Sequence, residues 1–273
     1  MFKFIFKNYN EIPVIRLSGV IGQTGTLKSG LSLIALNKLI EKVFSIKKVP
    51  AVSLIINSPG GSPTQSSLIA SKIRSLANKK KIKVYAFVED VAASGGYWLA
   101  CAADEIYIDE NSIVGSIGVI SPGFGFVDMI KKLGIERRVY SSGKSKSFLD
   151  PFKSVKQEDL KRLKAIQEEI HQNFINHVKK SRGKKIKSKD NEIFNGLFWV
   201  GEKVVKLGLA DGIGHIEDVL KRKYGQKTKI KIIEQKKSFF QKKFSSSADS
   251  KLINYSDLIA AFEEKLYWSK FGL

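Results

Sequence analysis

Apolar and polar positions along this chain change their period repeatedly, and each change marks an element. Pro13–Ile21 (PVIRLSGVI) is a β-branched run stopped by Gly22 and reads as a strand. Leu31–Val43 places Leu33, Leu36, Leu39, Ile40 and Val43 at helical spacing. Ala51–Ile56 is a short buried strand, cut off by Asn57-Ser58-Pro59-Gly60-Gly61, and helical spacing resumes over Ser66–Leu76. Lys83–Val88 is the next strand. Ser94–Ala103 reads as a helix that begins at the serine itself, and Glu105–Ile108 as the strand after it. A further strand–helix–strand set is predicted at Gly118–Ile120, Val127–Leu133 and Arg137–Tyr140. Strands and helices alternating at this length predict an α/β fold with a mostly parallel sheet and right-handed crossovers.

The second half reads differently. Lys156–Lys180 is a long amphipathic helix with Leu160, Leu163, Ile166, Ile170, Phe174 and Val178 along one face. Gly201–Leu207 is a short helix ended by Gly208. Beyond Gly225, "KTKIKII" alternates like a strand, and residues 235–250 turn basic and serine-rich, as a flexible linker does. Lys251–Phe271 returns as an amphipathic helix. The expected organisation is therefore a main domain over 1–224, a basic strand and linker over 225–250, and a C-terminal helical extension over 251–273. No internal repeat is present.

Composition narrows the partners. The 273 residues are 43% hydrophobic, enough to build one large core. The single cysteine, Cys101, excludes an internal disulfide framework and reads as a small core residue. A net charge of +21 calls for a polyanion or else marks a solvated lysine-rich surface. Between Lys221 and Lys243 ten basic residues face only Glu234. No nucleic-acid motif accompanies the charge, so no nucleic-acid partner is expected. The opening MFKFIFKNYNEIP lacks the unbroken apolar run of a secretory signal, and Met1–Phe6 reads as an edge strand. No apolar window is long enough for a spanning helix. The expected location is cytoplasmic or peripheral to a membrane.

The stretch DVAASGGYWLACAADEIYID strips bulk from both sides of one hydroxyl. Ser94 falls at a strand-to-helix turn, where backbone N–H groups are unpaired and the dipole favours negative charge. This follows the logic of the nucleophile elbow, with Ala92 in the first glycine's place. The Asn57–Gly61 turn also follows a strand. One N–H from Gly61 and one from Gly95 make a two-donor oxyanion hole if both loops sit at one sheet edge.

A serine nucleophile needs a base. His171 and His177 lie six apart on one helix and read as ordinary surface or core residues, and His215 follows "LADGIG". A lysine in the loop Ser141–Phe148 is the alternative. Free lysine titrates near ~10.4, and burial lowers that by up to about 3–5 units. Position alone leaves Lys144 and Lys146 both open.

Six stretches resemble the signal peptide peptidase A (SppA/SohB) family of serine peptidases: "GVIG" at 19–22, "INSPGGS" at 56–62, "DVAASGGYWLACAADEIY" at 90–107, "VGSIGVI" at 114–120, "GKSKSFLDPF" at 143–152 and "GLADGIG" at 208–214. The resemblance covers residues 13–220. It implies a ClpP/crotonase-like fold of repeated β-β-α units and a Ser–Lys dyad that cleaves signal peptides or other membrane-derived peptides, with no cofactor or metal. Carried over, Ser94 is the nucleophile and Lys146 the base. Ser116 orients the lysine, and Gly61 and Gly95 are the oxyanion donors. Short family members form rings in which neighbouring protomers share the site, which implies a homo-oligomer, an octamer being expected. Two departures stand out. The family tyrosine before the lysine is Ser145 here, which leaves Lys144 as a competitor to Lys146. The amino-terminal anchor of many members is absent, so the expectation is either a soluble protein or one that docks peripherally on an anionic membrane through Met1–Phe6 and the basic tail. The alternatives are a crotonase-like acyl-CoA enzyme with a similar oxyanion hole, and a non-catalytic ring scaffold.

Overall fold

The computed structural model describes residues 11–22, 30–143, 145–234 and 255–273. Its internal packing divides the chain into two compact units, Gly118–Phe174 and the remainder.

The larger unit is built on an eight-stranded sheet. Its main path runs β6 (Phe198–Val200), β5 (Ile113–Gly115), β3 (Lys83–Ala93), β2 (Ala51–Ser58), β1 (Glu11–Ser18) and β8 (Lys229–Ile232). Beside this path β4 (Glu105–Ile108) pairs with β3, and β7 (Gly212–Ile213) pairs with β4. Every pairing is parallel except β5 with β6. The mostly parallel α/β architecture matches the expectation from alternating elements. Strand β3 serves two neighbours: Tyr85–Val88 pair with β4, and Val91–Ala93 pair with β5. An irregularity opposite Ile56–Ser58 of β2 accompanies that change of partner.

Helix α1 (Leu33–Ser45) starts where the Ser32 hydroxyl accepts from Ala35 N at 3.3 Å, and it buries Leu36, Leu39, Ile40, Val43 and Phe44. Helix α2 (Pro63–Lys80) begins with Pro63 after the Ser62 cap and stops at Lys81 in the left-handed region. Helix α3 (Gly95–Ala100) follows β3, one residue after the serine, and all six of its residues are buried. The later helices are α5 (Gln157–Arg182), α6 (Asp190–Ile193), α7 (Glu202–Leu207), α8 (Ile216–Tyr224) and α9 (Tyr255–Ser269).

Two expected strands are absent. Gly118–Ile120 is irregular, and the strand lies earlier, at β5. Arg137–Tyr140 is irregular too: among the described residues no strand pairs with it, and Tyr140 is 92% exposed. β-Branched and aromatic character describes a half-buried pleated surface, and without a ladder partner it makes no strand. Helix α4 (Val127–Lys132) forms in the smaller unit but buries no residue. Ile120, Phe124, Met129, Leu133 and Ile135 in this unit are exposed. The expected edge strand at Met1–Phe6 and the linker at 235–250 lie outside the described residues. No helix among the described residues is long and apolar enough to cross a membrane.

One charged cluster crosses the core of the larger unit. Arg182, at the end of α5, has a side chain only 1% exposed and donates from Nη1 to Asp211 Oδ2 at 2.7 Å. Its Nε reaches the Gly208 carbonyl at 3.0 Å. Asp211 also accepts from Lys185 at 2.7 Å and from the Ile106 N–H at 2.8 Å. Burial alone would raise the Asp211 pKa, but the hydrogen bonds from Arg182 and Lys185 outweigh it and hold the carboxyl below its ordinary value. A carboxyl with a depressed folded-state pKa stabilises the fold above its unfolded value, and the benefit fades as pH falls. Asp211→Ala should therefore cost about 3–5 kcal/mol near neutrality by stranding Arg182. In urea titrations, the gap from wild type should narrow below about pH 4, where the unfolded carboxyl protonates.

Candidate active site

Two turns at the carboxyl ends of β2 and β3 meet backbone to backbone. After β2 the chain bends through Pro59, with Gly60 at φ 107° and Gly61 at φ 137°, values that L side chains rarely adopt. Ile21 holds this bend from the other side: its N–H donates to the Gly60 carbonyl at 2.8 Å, and its carbonyl accepts from Ser62 N at 2.7 Å. A Cβ on Gly60 would lie 2.8 Å from Ser94 Cβ and 3.0 Å from Gly95 N. Only glycine lets the turns approach so closely.

Ser94 lies between β3 and α3 in a strained conformation, φ 51° and ψ −121°. Such a backbone costs a non-glycine residue on the order of 1–3 kcal/mol and is held by its surroundings. Here the Ser94 N–H donates to the Gly115 carbonyl at 2.8 Å, and the Ser94 carbonyl accepts from Trp98 N at 3.0 Å. The half-buried hydroxyl does not cap the helix. Among the described residues, the N–H groups of Gly61 and Gly95 have no hydrogen-bond acceptor. A serine on a strained turn packed against a glycine turn, with unpaired backbone N–H groups on both turns, has chemistry suited to attack on a carbonyl.

Ser116 follows β5 one residue beyond the carbonyl that anchors Ser94. It too has a positive φ, 53°, and its N–H donates to Leu197 O at 2.7 Å. Ser94, Gly61, Gly95 and Ser116 thus belong to the larger unit. Lys146 belongs to the smaller unit, where it is exposed in a turn closed by its N–H on Gly143 O at 3.2 Å. Lys144 lies outside the described residues. Cys101 is buried, as expected, and burial pushes its thiol up to about 11, far from reactive.

Sequence reading passed over several residues that shape this site. Ser66, fully buried on α2, and Ile21 fill the space beside Gly95: a Cβ there would fall 2.4 Å from Ser66 Oγ and 3.1 Å from Ile21 Cδ1. Tyr97 donates its hydroxyl to the Leu209 carbonyl at 2.8 Å, and His177 meets Trp98. Each contact joins segments far apart in the chain, so no local pattern announces it. Gly60→Ala should push Ser94 out of line. We expect a melting point lower by about 2–10 °C from overpacking of about 1–3 kcal/mol. The serine should also react much more slowly with an active-site label, as mass spectrometry at Ser94 can measure.

Comparison with known proteins follows the same lines. The model of peptidase family S49 matches residues 76–230. A Brucella abortus protein named Na(+)/H(+) antiporter NhaA is 47% identical over 273 residues, covering 96% of this chain and 37% of the relative. A protein of Enterococcus faecium assigned as a signal peptide peptidase SppA is 32% identical over 232 residues, covering 83% of this chain and 67% of the relative. This chain therefore spans little more than a third of the Brucella relative. Among solved structures, a mutant 1510-N membrane-bound stomatin-specific protease in complex with a substrate peptide superposes with a TM-score of 0.51. It shares 16% identity and covers 87% of this chain and 97% of its own, which shows a common fold. The family match spans more than half of the sequence and includes the serine turn, so the chain belongs to peptidase family S49, the SppA/SohB-like serine peptidases.

Proposed function

We propose that this protein is a serine endopeptidase working through a Ser94–Lys146 dyad. The observation that carries the reading is the strained Ser94 backbone packed against the Gly60–Gly61 turn, with the Gly61 and Gly95 N–H groups unpaired among the described residues. Ser94 Oγ attacks the scissile carbonyl while Lys146 takes its proton. The tetrahedral oxyanion is held by Gly61 and Gly95, and the same lysine returns the proton to the leaving amine. Water then hydrolyses the acyl-enzyme. Ser116 orients the lysine amine. The substrate is an extended apolar or small-residue peptide, such as a signal-peptide remnant or another membrane-derived fragment. The Enterococcus relative's name points the same way. The antiporter name is not carried over, because the match covers 37% of that protein.

A lysine acts as a base only once it is desolvated. Among the described residues, Lys146 is exposed, and Phe124, Met129, Leu133 and Ile135 of the same unit are exposed without a cover. A second copy of this chain supplies both needs, in a ring, an octamer by family resemblance, whose sites are shared between protomers. The surplus of lysine suits peripheral contact with an anionic membrane, at about 1 kcal/mol per residue near the surface.

Ser94→Ala and Lys146→Ala should each lower peptide hydrolysis by more than about 10³-fold. Only variants that keep Ser94 should accept a fluorophosphonate, whereas an acyl-CoA enzyme of related fold would hydrolyse or transform thioesters with Ser94 replaced. Mixing the two inactive variants and letting subunits exchange should restore about a quarter of wild-type activity in a head-to-tail ring. No recovery after proven exchange would mean that serine and lysine act within one protomer.

A further inference from the structure

We propose that His177 is a positioning residue for Ser94. Its Nε2–H caps the Trp98 carbonyl and its ring stacks on the Trp98 indole, which fixes the short helix that presents the nucleophile. The role rests on the peptidase reading above.

Helix α3 has six residues, far fewer than the ~12–15 that an isolated helix needs, so its placement depends on what surrounds it. The backbone bonds past its end include Cys101 N to Tyr97 O, Ala102 N to Leu99 O and Ala103 N to Ala100 O. His177 on α5 adds a side-chain tie, with Nε2 at 3.0 Å from the Trp98 carbonyl oxygen. A carbonyl only accepts, so Nε2 carries the proton. The two rings lie 4.9 Å apart at 18°, a stack that also orients the imidazole. Burial holds the imidazole below its ordinary pKa despite that hydrogen bond, and Lys180 adds to the effect, which favours the neutral ring with a single N–H to give.

The path to the serine is short. Trp98 N donates to the Ser94 carbonyl at 3.0 Å, so the residue that His177 grips also closes the turn opened by Ser94. Tyr97, next in the chain, is tied to Leu209 at 2.8 Å. The helix is thus held at two successive residues by segments far away in sequence. The tie to Leu209 runs from a tyrosine side chain, and the tie from His177 takes hold of the helix backbone itself.

The test measures the rate of fluorophosphonate labelling at Ser94 per folded molecule, together with kcat and KM on a peptide substrate. His177→Phe keeps the stacked ring and removes the donor. Labelling and kcat should fall about tenfold or more with KM unchanged, since small misplacements of a nucleophile cost that much. His177→Gln, whose amide nitrogen reaches the same carbonyl, should stay within about threefold of wild type. His177→Asn is equally polar but one methylene short, and it should behave like His177→Phe. The Gln–Asn comparison decides the matter should the phenylalanine variant fail to fold. A folded His177→Phe labelled at the wild-type rate, or glutamine as slow as asparagine, overturns the positioning role alone. Wild-type protein left unlabelled at Ser94 overturns both this role and the peptidase reading.

Discussion

Main chain packed directly on main chain at the ends of β2 and β3 is the constraint from which the rest of the molecule follows. A Cβ at Gly96 would come within 2.4 Å of the Ser58 carbonyl oxygen, and one at Gly61 within 2.1 Å of the Ile21 carbonyl oxygen. Such contacts leave no room for side chains, and they bring the serine turn against unpaired amides. The turns hold a strained serine only because rigid, fully packed strands deliver them to one place.

Polar anchors complete what apolar packing begins. Helix α3 buries every residue, yet a short helix leaves carbonyls and N–H groups to satisfy. Tyr97, Trp98 and the nearby Arg182–Asp211 pair connect this region to α5 and to the Gly208–Gly212 segment. Replacing a charged pair by apolar side chains is often harmless to stability, but removing one member is not. The "GLADGIG" stretch has a physical use here. Gly208 turns in the left-handed region where a Cβ would strike the Lys185 carbonyl, Leu209 receives Tyr97, and Asp211 receives Arg182.

Much of this was legible in the sequence, for reasons that differ by element. Helix α1 shows its buried face as a 3–4 spacing because one side alone meets the sheet. The glycine pairs at 60–61 and 95–96 are visible because small residues beside a lone hydroxyl serve close approach. Other features had no local signal. Strands β6 and β7 are three and two residues long and exist only through their partners. Arg137–Tyr140 has strand-like residues but no ladder to join. Helix α8 buries just Val219 and Leu220, too few to stand out. His177 looks ordinary in sequence because the tryptophan that gives it meaning lies 79 residues away.

Strand β1 has a consequence for how the molecule is made. One of its edges pairs with β2, close behind it in the chain, and the other pairs with β8. The tie between Glu11 and Lys231 spans 220 residues. At about 5–20 residues per second, a ribosome needs on the order of 10–40 s to deliver the second partner. Through that interval an apolar strand carrying Ile12, Val14, Ile15 and Leu17 has an open flank, the template on which nascent chains mispair. Until β8 is made, that flank is the stretch of the nascent chain most open to mispairing.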